Sequence, residues 1–284
     1  MLDYPLLRRG CPDLSPYADV LRQCASPPGG QKKFPYPMVP VYDYVIFCDL
    51  GGEPGWVYYQ VEFLKKACTR YGIPFVILPT DLTGTYKRYF GYARVATIPF
   101  WTEGEDGSHG KLRRACTIDY KIAAIQKFVR QQLLGYRHGE HVRPQDKEAH
   151  EMHIGFSAEE QDRIFDSKNS MFVNKFPLAD MGLTRADNYK YCLEEWGLDA
   201  KASACNYCPF HRNYFFKDMR ENRPGEYAET VAFDRMLEER QPLTKIRSKV
   251  YISRSRKRIE NLTDEECNDA ETFDYNGKLI WNGF

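Results

Sequence analysis

The stretch YDYVIFCDLGG, residues 42–52, predicts the central element of the fold. Its β-branched and aromatic residues form an apolar run that ends at Asp49 and Gly51, which is typical of a buried strand followed by a loop. Residues 55–72, GWVYYQVEFLKKACTRYG, have helical spacing, and residues 73–79, IPFVILP, form a second apolar run. A strand, a helix and a strand in this order predict two parallel strands joined by a right-handed crossover.

Strands and helices continue to alternate along the chain. Thr117, Ser157 and Thr184 are the predicted N-caps of helices. The sequence predicts helices at 118–133, 158–165, 184–197, 213–221 and 225–240, further strands near 150–155, 171–175 and 249–252, and a long loop at 80–112. We therefore expect a doubly wound, mostly parallel α/β core at 41–200. An irregular Pro-rich arm with a short helix near 16–24 precedes it at 1–40, and a helical region follows at 201–284.

Composition limits the classes of function. The chain has 284 residues and a formal net charge of +1, so its total charge encodes no general attraction to nucleic acid. No run of about eighteen apolar residues is present, and the N-terminus lacks the pattern of a signal peptide, so we expect no membrane partner. Nine cysteines without an export signal favour free thiols and metal ligands over disulfides, in a reducing cytoplasmic setting.

Two cysteine segments point to a metal site. The segment KASACNYCPFHRN, residues 201–213, contains Cys205 and Cys208 in a C-x-x-C pair, whose thiolates reach one metal from a tight turn. His211 follows closely enough to ligate or to hydrogen-bond to that site. Cys116 in KLRRACTIDYKI lies beside Arg114 and before a helix, and both features favour a thiolate. A small buried cysteine is the alternative interpretation of Cys116.

Four ordered motifs carry a family resemblance. They are R-x-C-T-x-x-Y-K-I, I-G-F-S-x-E-E-x-x-R, F-P-L-A-D-M-G-L-T-R-x-D and K-x-S-x-C-x-x-C-P-F-H-R-N, and with flanking sequence they span about residues 42–258. The chain resembles the phosphoadenosine phosphosulfate reductase-like branch of the adenine nucleotide alpha hydrolase superfamily. That resemblance implies a parallel α/β sheet that binds an adenine nucleotide at the strand ends, in several branches beside a cysteine-bound [4Fe–4S] cluster.

The resemblance also implies roles for individual residues. Cys116, Cys205 and Cys208 match the cluster cysteines, with zinc as the alternative metal; the fourth ligand is unassigned, and Cys192 and Cys267 are weak candidates. The resemblance further implies a set of residues that bind the nucleotide, which is ATP with magnesium or a sulfonucleotide. These residues are Asp49, Gly51, Glu53, Arg114, Lys121, Gly155, Ser157, Glu160 and Arg163. Surface ion pairs and solvated side chains are the alternative for each of these positions.

One departure from the family pattern matters for function. The family's glycine- and serine-rich pyrophosphate loop is missing, since SPPGG in the N-terminal arm has neither the following Ser or Thr nor a preceding strand. We expect an iron–sulfur enzyme, a nucleotide-dependent sulfur transferase or a sulfonucleotide reductase-like protein, assembled as a homodimer and acting on a nucleotide or a nucleotide-activated small molecule. The alternative is a non-catalytic nucleotide- or nucleic-acid-binding module with a structural metal. A third interpretation, an enzyme acting on a nucleic-acid base, uses the basic run RSRKR at 254–258 and exposed tyrosines.

Overall fold

The structure is a computed structural model that describes residues 6–9, 42–93, 95 and 98–269. The predicted helix near 16–24 and the SPPGG stretch lie outside these residues. The chain divides into two compact units, each built from three segments. The first unit comprises Met1–Phe47, Trp56–Leu78 and Arg130–Lys201; the second comprises Cys48–Gly55, Pro79–Val129 and Ala202–Phe284.

The described strands form two sheets. They are β1 (Leu6–Arg9), β2 (Tyr44–Asp49), β3 (Phe75–Pro79), β4 (Trp101–Glu103), β5 (His109–Lys111), β6 (His150–His153), β7 (Phe172–Lys175) and β8 (Lys249–Tyr251). One sheet has the order β3-β2-β1-β6-β7, and the other has the order β5-β4-β8. The helices are α1 (Gly55–Arg70), α2 (Leu82–Tyr89), α3 (Ala123–Phe128), α4 (Pro177–Asp180), α5 (Arg185–Trp196), α6 (Asn213–Asn222) and α7 (Pro224–Arg240).

The predicted strand–helix–strand unit is confirmed. The amide of Val45 donates to Pro74 O at 2.9 Å, and the amide of Thr80 donates to Asp49 O at 3.0 Å. Because the bonded positions rise together along β2 and β3, the two strands run parallel. Val45, Phe47, Val57, Val61 and Cys68 form a buried cluster between this part of the sheet and α1. Burial of apolar side chains stabilises the folded unit by roughly 25 cal/mol for each Å² of apolar surface removed from water.

The N-terminal segment contributes a strand that was not predicted. Residues 6–9 form β1, which pairs antiparallel with both β2 and β6, so the prediction of an irregular arm with one short helix at 1–40 is wrong at these four residues. β6 and β7 pair in parallel, as His150 opposite Phe172 shows. The chain therefore has a mixed α/β fold with parallel strand pairs, and one doubly wound, mostly parallel sheet is not confirmed.

The second unit corrects the prediction of a long loop at 80–112. Helix α2 begins after Asp81, whose carboxylate accepts from the Gly84 amide at 2.9 Å. Strands β4 and β5 form a hairpin, and β4 also pairs antiparallel with β8. Buried aromatic side chains fill the core of this unit; Tyr86 contacts Phe90, Phe100 and Phe233. Across the described residues, no helix is both long enough and apolar enough to cross a bilayer.

Two predicted helices differ in type from the expectation. The segment after Thr117 begins with a π-helical turn, Ile118–Ile122, continues as α3, and ends in a second π-helical turn, Val129–Leu133. Thr117 itself has helical dihedral angles and makes no side-chain cap, so its prediction as the N-cap is wrong. The segment after Ser157 is a short 3₁₀ helix, Ala158–Arg163. Thr184, by contrast, caps α5 as predicted, in a capping box with Asp187.

Candidate metal centre

The C-x-x-C segment forms a tight turn. The Cys208 amide donates to Cys205 O at 2.9 Å, and the His211 amide donates to Cys208 O at 3.1 Å. The His211 ring is fully buried, with Nε2 2.7 Å from Cys205 O and its ring stacked on Phe215. Burial lowers the pKa of His211 to about 3, so at neutral pH it is an uncharged ring that holds the turn through a backbone carbonyl.

Aromatic contacts fix this turn to the rest of the second unit. Tyr207, between the two cysteines, stacks on Phe233 of α7 with ring centroids 4.4 Å apart. The indole of Trp101 on β4 donates to Pro209 O at 2.8 Å. The turn therefore rests on a helix and a strand that are both parts of a packed core.

Cys116 acts electrostatically on both cysteines of the turn. Burial is the main reason that the pKa of Cys208 is raised to about 11, and the charge of Cys116 contributes less in the same direction. Burial also raises the pKa of Cys205, and the charges of Glu53, Cys208 and Cys116 add to the effect. Cys205 and Cys208 share one turn, and Cys116, in the same compact unit, acts electrostatically on both of them.

The loop after β2 packs directly on the cysteine turn. The Asn206 amide donates to Gly52 O at 2.8 Å. A Cβ atom on Gly52 would lie 2.1 Å from Tyr207 Oη, so only glycine permits this approach. Glu53 is 4% exposed, accepts from Ser203 Oγ at 3.4 Å, and has Oε1 3.9 Å from Cys205 Sγ. The structure therefore places Glu53, expected on the nucleotide side, beside the thiols.

Two cations predicted for the nucleotide side also lie near the thiols. Burial raises the pKa of both Cys205 and Cys48, and Lys121, in the first π-helical turn, offsets part of each rise. Arg114 lowers the pKa of Cys208 and donates to Thr117 Oγ1 at 3.2 Å. Both cations favour the thiolate form of a neighbouring cysteine, which is the form that binds metal. Unusual π-helical turns are frequent at functional sites.

Asp49 and Gly51 occupy the carboxyl end of β2. Asp49 Oδ1 accepts from the Gly51 amide at 2.8 Å, and Asp49 O accepts from the amides of Thr80 and Asp81 after β3. Gly51 has a φ of +73°, a conformation that favours glycine. Adjacent carboxyl ends of parallel strands are where open α/β sheets bind ligands.

The remaining predicted nucleotide residues lie in the first unit. Gly155 and Ser157 follow β6, and Glu160 Oε2 accepts from both the amide and the hydroxyl of Ser157. Arg163 and Arg185 both form ion pairs with Glu160, which is 7% exposed. These contacts assign Ser157, Glu160 and Arg163 a structural role, and nucleotide binding by them stays a prediction.

The two weak candidates for the fourth ligand have other surroundings. Cys192 lies on α5 in the first unit, and burial raises the pKa of its thiol. Cys267 is 2% exposed, and burial is the main reason that the pKa of its thiol is raised. Arg220 offsets part of this rise, and Asp269 adds to it. Burial also makes Cys267 a poor mobile nucleophile. An open groove of about 690 Å³ around Arg137, His138 and Arg143 includes none of the predicted site residues.

The donor set of the second unit fits a thiophilic metal group. Soft thiolates select zinc, copper(I) or iron–sulfur clusters, and burial of Cys205 and Cys208 disfavours their ionisation unless a cation compensates. Asn206 Oδ1 is buried in the same turn and accepts no hydrogen bond from the part of the chain that the structure describes. Within that part, no group of three His, Cys, Asp or Glu side chains forms a ready metal-ion site.

Sequence reasoning missed Asn206 and Ser203, which support the turn and Glu53. Gly52 carries the only local signal for this contact, because adjacent glycines after a strand allow another backbone to come close. No family model, no curated protein and no solved structure matches the chain.

Proposed function

We propose that the protein is a nucleotide-dependent sulfur transferase in which Cys116, Cys205 and Cys208 hold an iron–sulfur cluster. The observation that carries this proposal is the tight turn that holds Cys205 and Cys208, with Glu53 Oε1 3.9 Å from Cys205 Sγ. A [4Fe–4S] cluster held by three thiolates supplies an iron that accepts a sulfur atom. Lys121 and Arg114 provide positive charge for an anionic sulfur species at that position.

The nucleotide part of the proposal rests on the loop that joins β2 to the cysteine turn. Asp49 and Gly51 lie at the carboxyl end of β2, while Gly52 and Glu53 of the same loop contact the turn. We propose that an adenine nucleotide, or a substrate activated by one, binds over these strand ends in a doubly wound domain. In this proposal the loop brings the activated carbon centre of the substrate close to the sulfur-donating centre.

A structural zinc site is the second candidate, and one distance favours it. Cys205 Sγ and Glu53 Oε1 are 3.9 Å apart. Two such ligands on one tetrahedral zinc ion lie about 3.6 Å apart, from Zn–S and Zn–O bonds of about 2.3 and 2.1 Å. In this case the protein is a nucleotide- or nucleic-acid-binding module whose metal holds the C-x-x-C turn in place.

Metal analysis separates the two candidates. We expect protein purified without oxygen to contain iron and inorganic sulfide, and Cys205→Ser to lose most of both. Cys68→Ala, a buried cysteine in the α1 core cluster, is the matched control and should retain them. Zinc without iron or sulfide would contradict the cluster and support the structural site.

Binding measurements then test the nucleotide role. Calorimetric titration with ATP, ADP and phosphoadenosine phosphosulfate should show saturable binding of at least one nucleotide. Asp49→Ala should weaken that binding without changing the metal content. The absence of binding by all three nucleotides would contradict the transferase proposal even if a cluster is present.

A further inference from the structure

A surface loop of the first unit lines an open groove that the proposed metal and nucleotide sites do not include. The groove has a volume of about 690 Å³ and is lined by Gly135, Arg137, His138, Gly139, Glu140 and Arg143. All six residues lie between the second π-helical turn and β6, within one compact unit. Pockets of this size hold small organic ligands, so the donors and charges of the lining decide which ligand class fits.

The side chain of Tyr136 holds this loop in a fixed shape. Its ring is buried and contacts two guanidinium groups, with Arg130 Cζ 4.8 Å and Arg143 Cζ 4.2 Å from the ring centroid. Its hydroxyl accepts from the Arg143 amide at 2.9 Å and donates to Asp146 Oδ2. Arg130 also donates to Glu140 O. Because these contacts order the loop in advance, a ligand that binds there orders little additional backbone.

Two basic side chains of the groove are uncommitted. Arg137 and His138 are exposed, and neither side chain makes a hydrogen bond or an ion pair with another residue in the part of the chain that the structure describes. Arg143 differs, since its guanidinium donates twice to Glu140 Oε1, at 3.1 and 3.2 Å. Glu140 Oε2 accepts from the Arg137 amide at 2.9 Å, so the acidic member of the lining is engaged on both oxygens.

The same loop leaves backbone donors open. Residues 137–140 form a tight turn in which the Glu140 amide donates to Arg137 O at 3.2 Å. Gly139 in this turn has a φ of +79°, and nothing lies within 4 Å of the position of a Cβ. The amides of His138 and Gly139 donate to no other described residue. Successive open amides in a turn with a left-handed glycine are typical of concavities that bind anions.

We propose that this groove binds the phosphate groups of a small phosphorylated ligand. The Arg137 guanidinium forms paired hydrogen bonds to phosphate oxygens, the His138 ring donates a further bond, and the amides of residues 138–139 complete the contact. A phosphate suits this set because three of its oxygens are strong acceptors, whereas a carboxylate offers two. The site goes beyond the proposed sulfur transfer and depends neither on the metal centre nor on the strand-end loop.

Calorimetric titration with inorganic pyrophosphate, ATP and adenosine tests the ligand class. We expect pyrophosphate to bind and adenosine to leave its affinity unchanged; tighter binding of ATP than of pyrophosphate would identify a nucleotide as the source of the phosphate. Arg137→Gln should weaken pyrophosphate binding about tenfold, because it removes charge-assisted hydrogen bonds. The control is Arg70→Gln, which removes an exposed arginine at the end of α1 in the same unit and should leave the affinity unchanged.

Nuclear magnetic resonance of the backbone amides locates the binding site. Pyrophosphate should shift the amide resonances of His138 and Gly139, and the shifts should shrink in Arg137→Gln at the same pyrophosphate concentration. The proposal would be overturned by the absence of pyrophosphate binding, by equal affinities in the Arg137→Gln and Arg70→Gln variants, or by shifts confined to residues outside 135–143. Failure of this site would leave the proposed sulfur transfer standing, because iron, sulfide and the Asp49→Ala titration test that function separately.

Discussion

The buried ion pair between Asp234 and Arg258 gives a sharp test of how the second unit is held together. Arg258 donates to Asp234 Oδ1 at 2.7 Å, and the Ile259 amide donates to Asp234 Oδ2 at 2.9 Å. Asp234 is 2% exposed and Arg258 is 8% exposed. Asp234→Asn keeps the shape but leaves the buried guanidinium with only the exposed Glu238, whose Oε1 is 3.4 Å from Arg258 Nε, as a counter-charge. Breaking a buried pair in this way costs about 3–5 kcal/mol.

Urea unfolding at pH 7 measures this loss of stability. In thermal unfolding the melting temperature should fall by roughly 6–20 °C, since each kcal/mol lowers it by about 2–4 °C. The control is Glu260→Gln, which breaks the pair between Glu260 and Arg235, whose side chain is 59% exposed. Exposed ion pairs contribute at most about 1 kcal/mol to stability, so the free energy of unfolding of this variant should stay close to that of the unmodified protein. Equal losses in the two variants would refute the argument that burial sets the cost. The double variant Asp234→Leu, Arg258→Met should recover much of the stability.

The remaining predictions concern close packing and thiol ionisation. Gly52→Ala should lower the free energy of unfolding by about 1–3 kcal/mol and reduce metal retention, because the added Cβ would overlap Tyr207. Its control is Gly225→Ala, where nothing lies within 4 Å of the added Cβ; this variant should be neutral or stabilising in the same urea assay. Burial raises the pKa of Cys68 from 9.0 to about 11, so the folded state keeps this proton while the unfolded state loses it. The free energy of unfolding should therefore fall as pH rises from 8 to 10. This fall should be about 1 kcal/mol larger in the unmodified protein than in Cys68→Ala. Equal falls in the two proteins would contradict the burial of this thiol.

Short-range patterns predicted much of the fold. The apolar runs that became β2 and β3, the helix between them, and the capping box of Thr184 are local signals, and the structure confirms each. The strand at Leu6–Arg9 was missed because a four-residue run gains its stability from the two strands beside it. Helix α2 was missed because Gly84 and two threonines weaken its helical pattern, while Asp81 caps it through a left-handed conformation.

The candidate site was predictable only in part. The spacing of Cys205 and Cys208 and the cationic neighbours of Cys116 identify thiols suited to a metal, but where Cys116 lies relative to the turn depends on long-range packing. The place of Glu53 depends on the Gly52–Asn206 contact, which joins residues 154 positions apart. The run RSRKR illustrates the same limit, since Arg258 is buried against Asp234 and Val250 and is not available to phosphate.

Differential alkylation is the most direct test of the central claim that the three thiols share one metal group. Protein is labelled with iodoacetamide before and after the metal is removed by a chelator, and each cysteine is quantified by mass spectrometry. The account predicts that Cys116, Cys205 and Cys208 are protected together and become reactive in equal proportion when the metal leaves. Labelling of Cys116 to the same extent in metal-loaded and metal-free protein would contradict it.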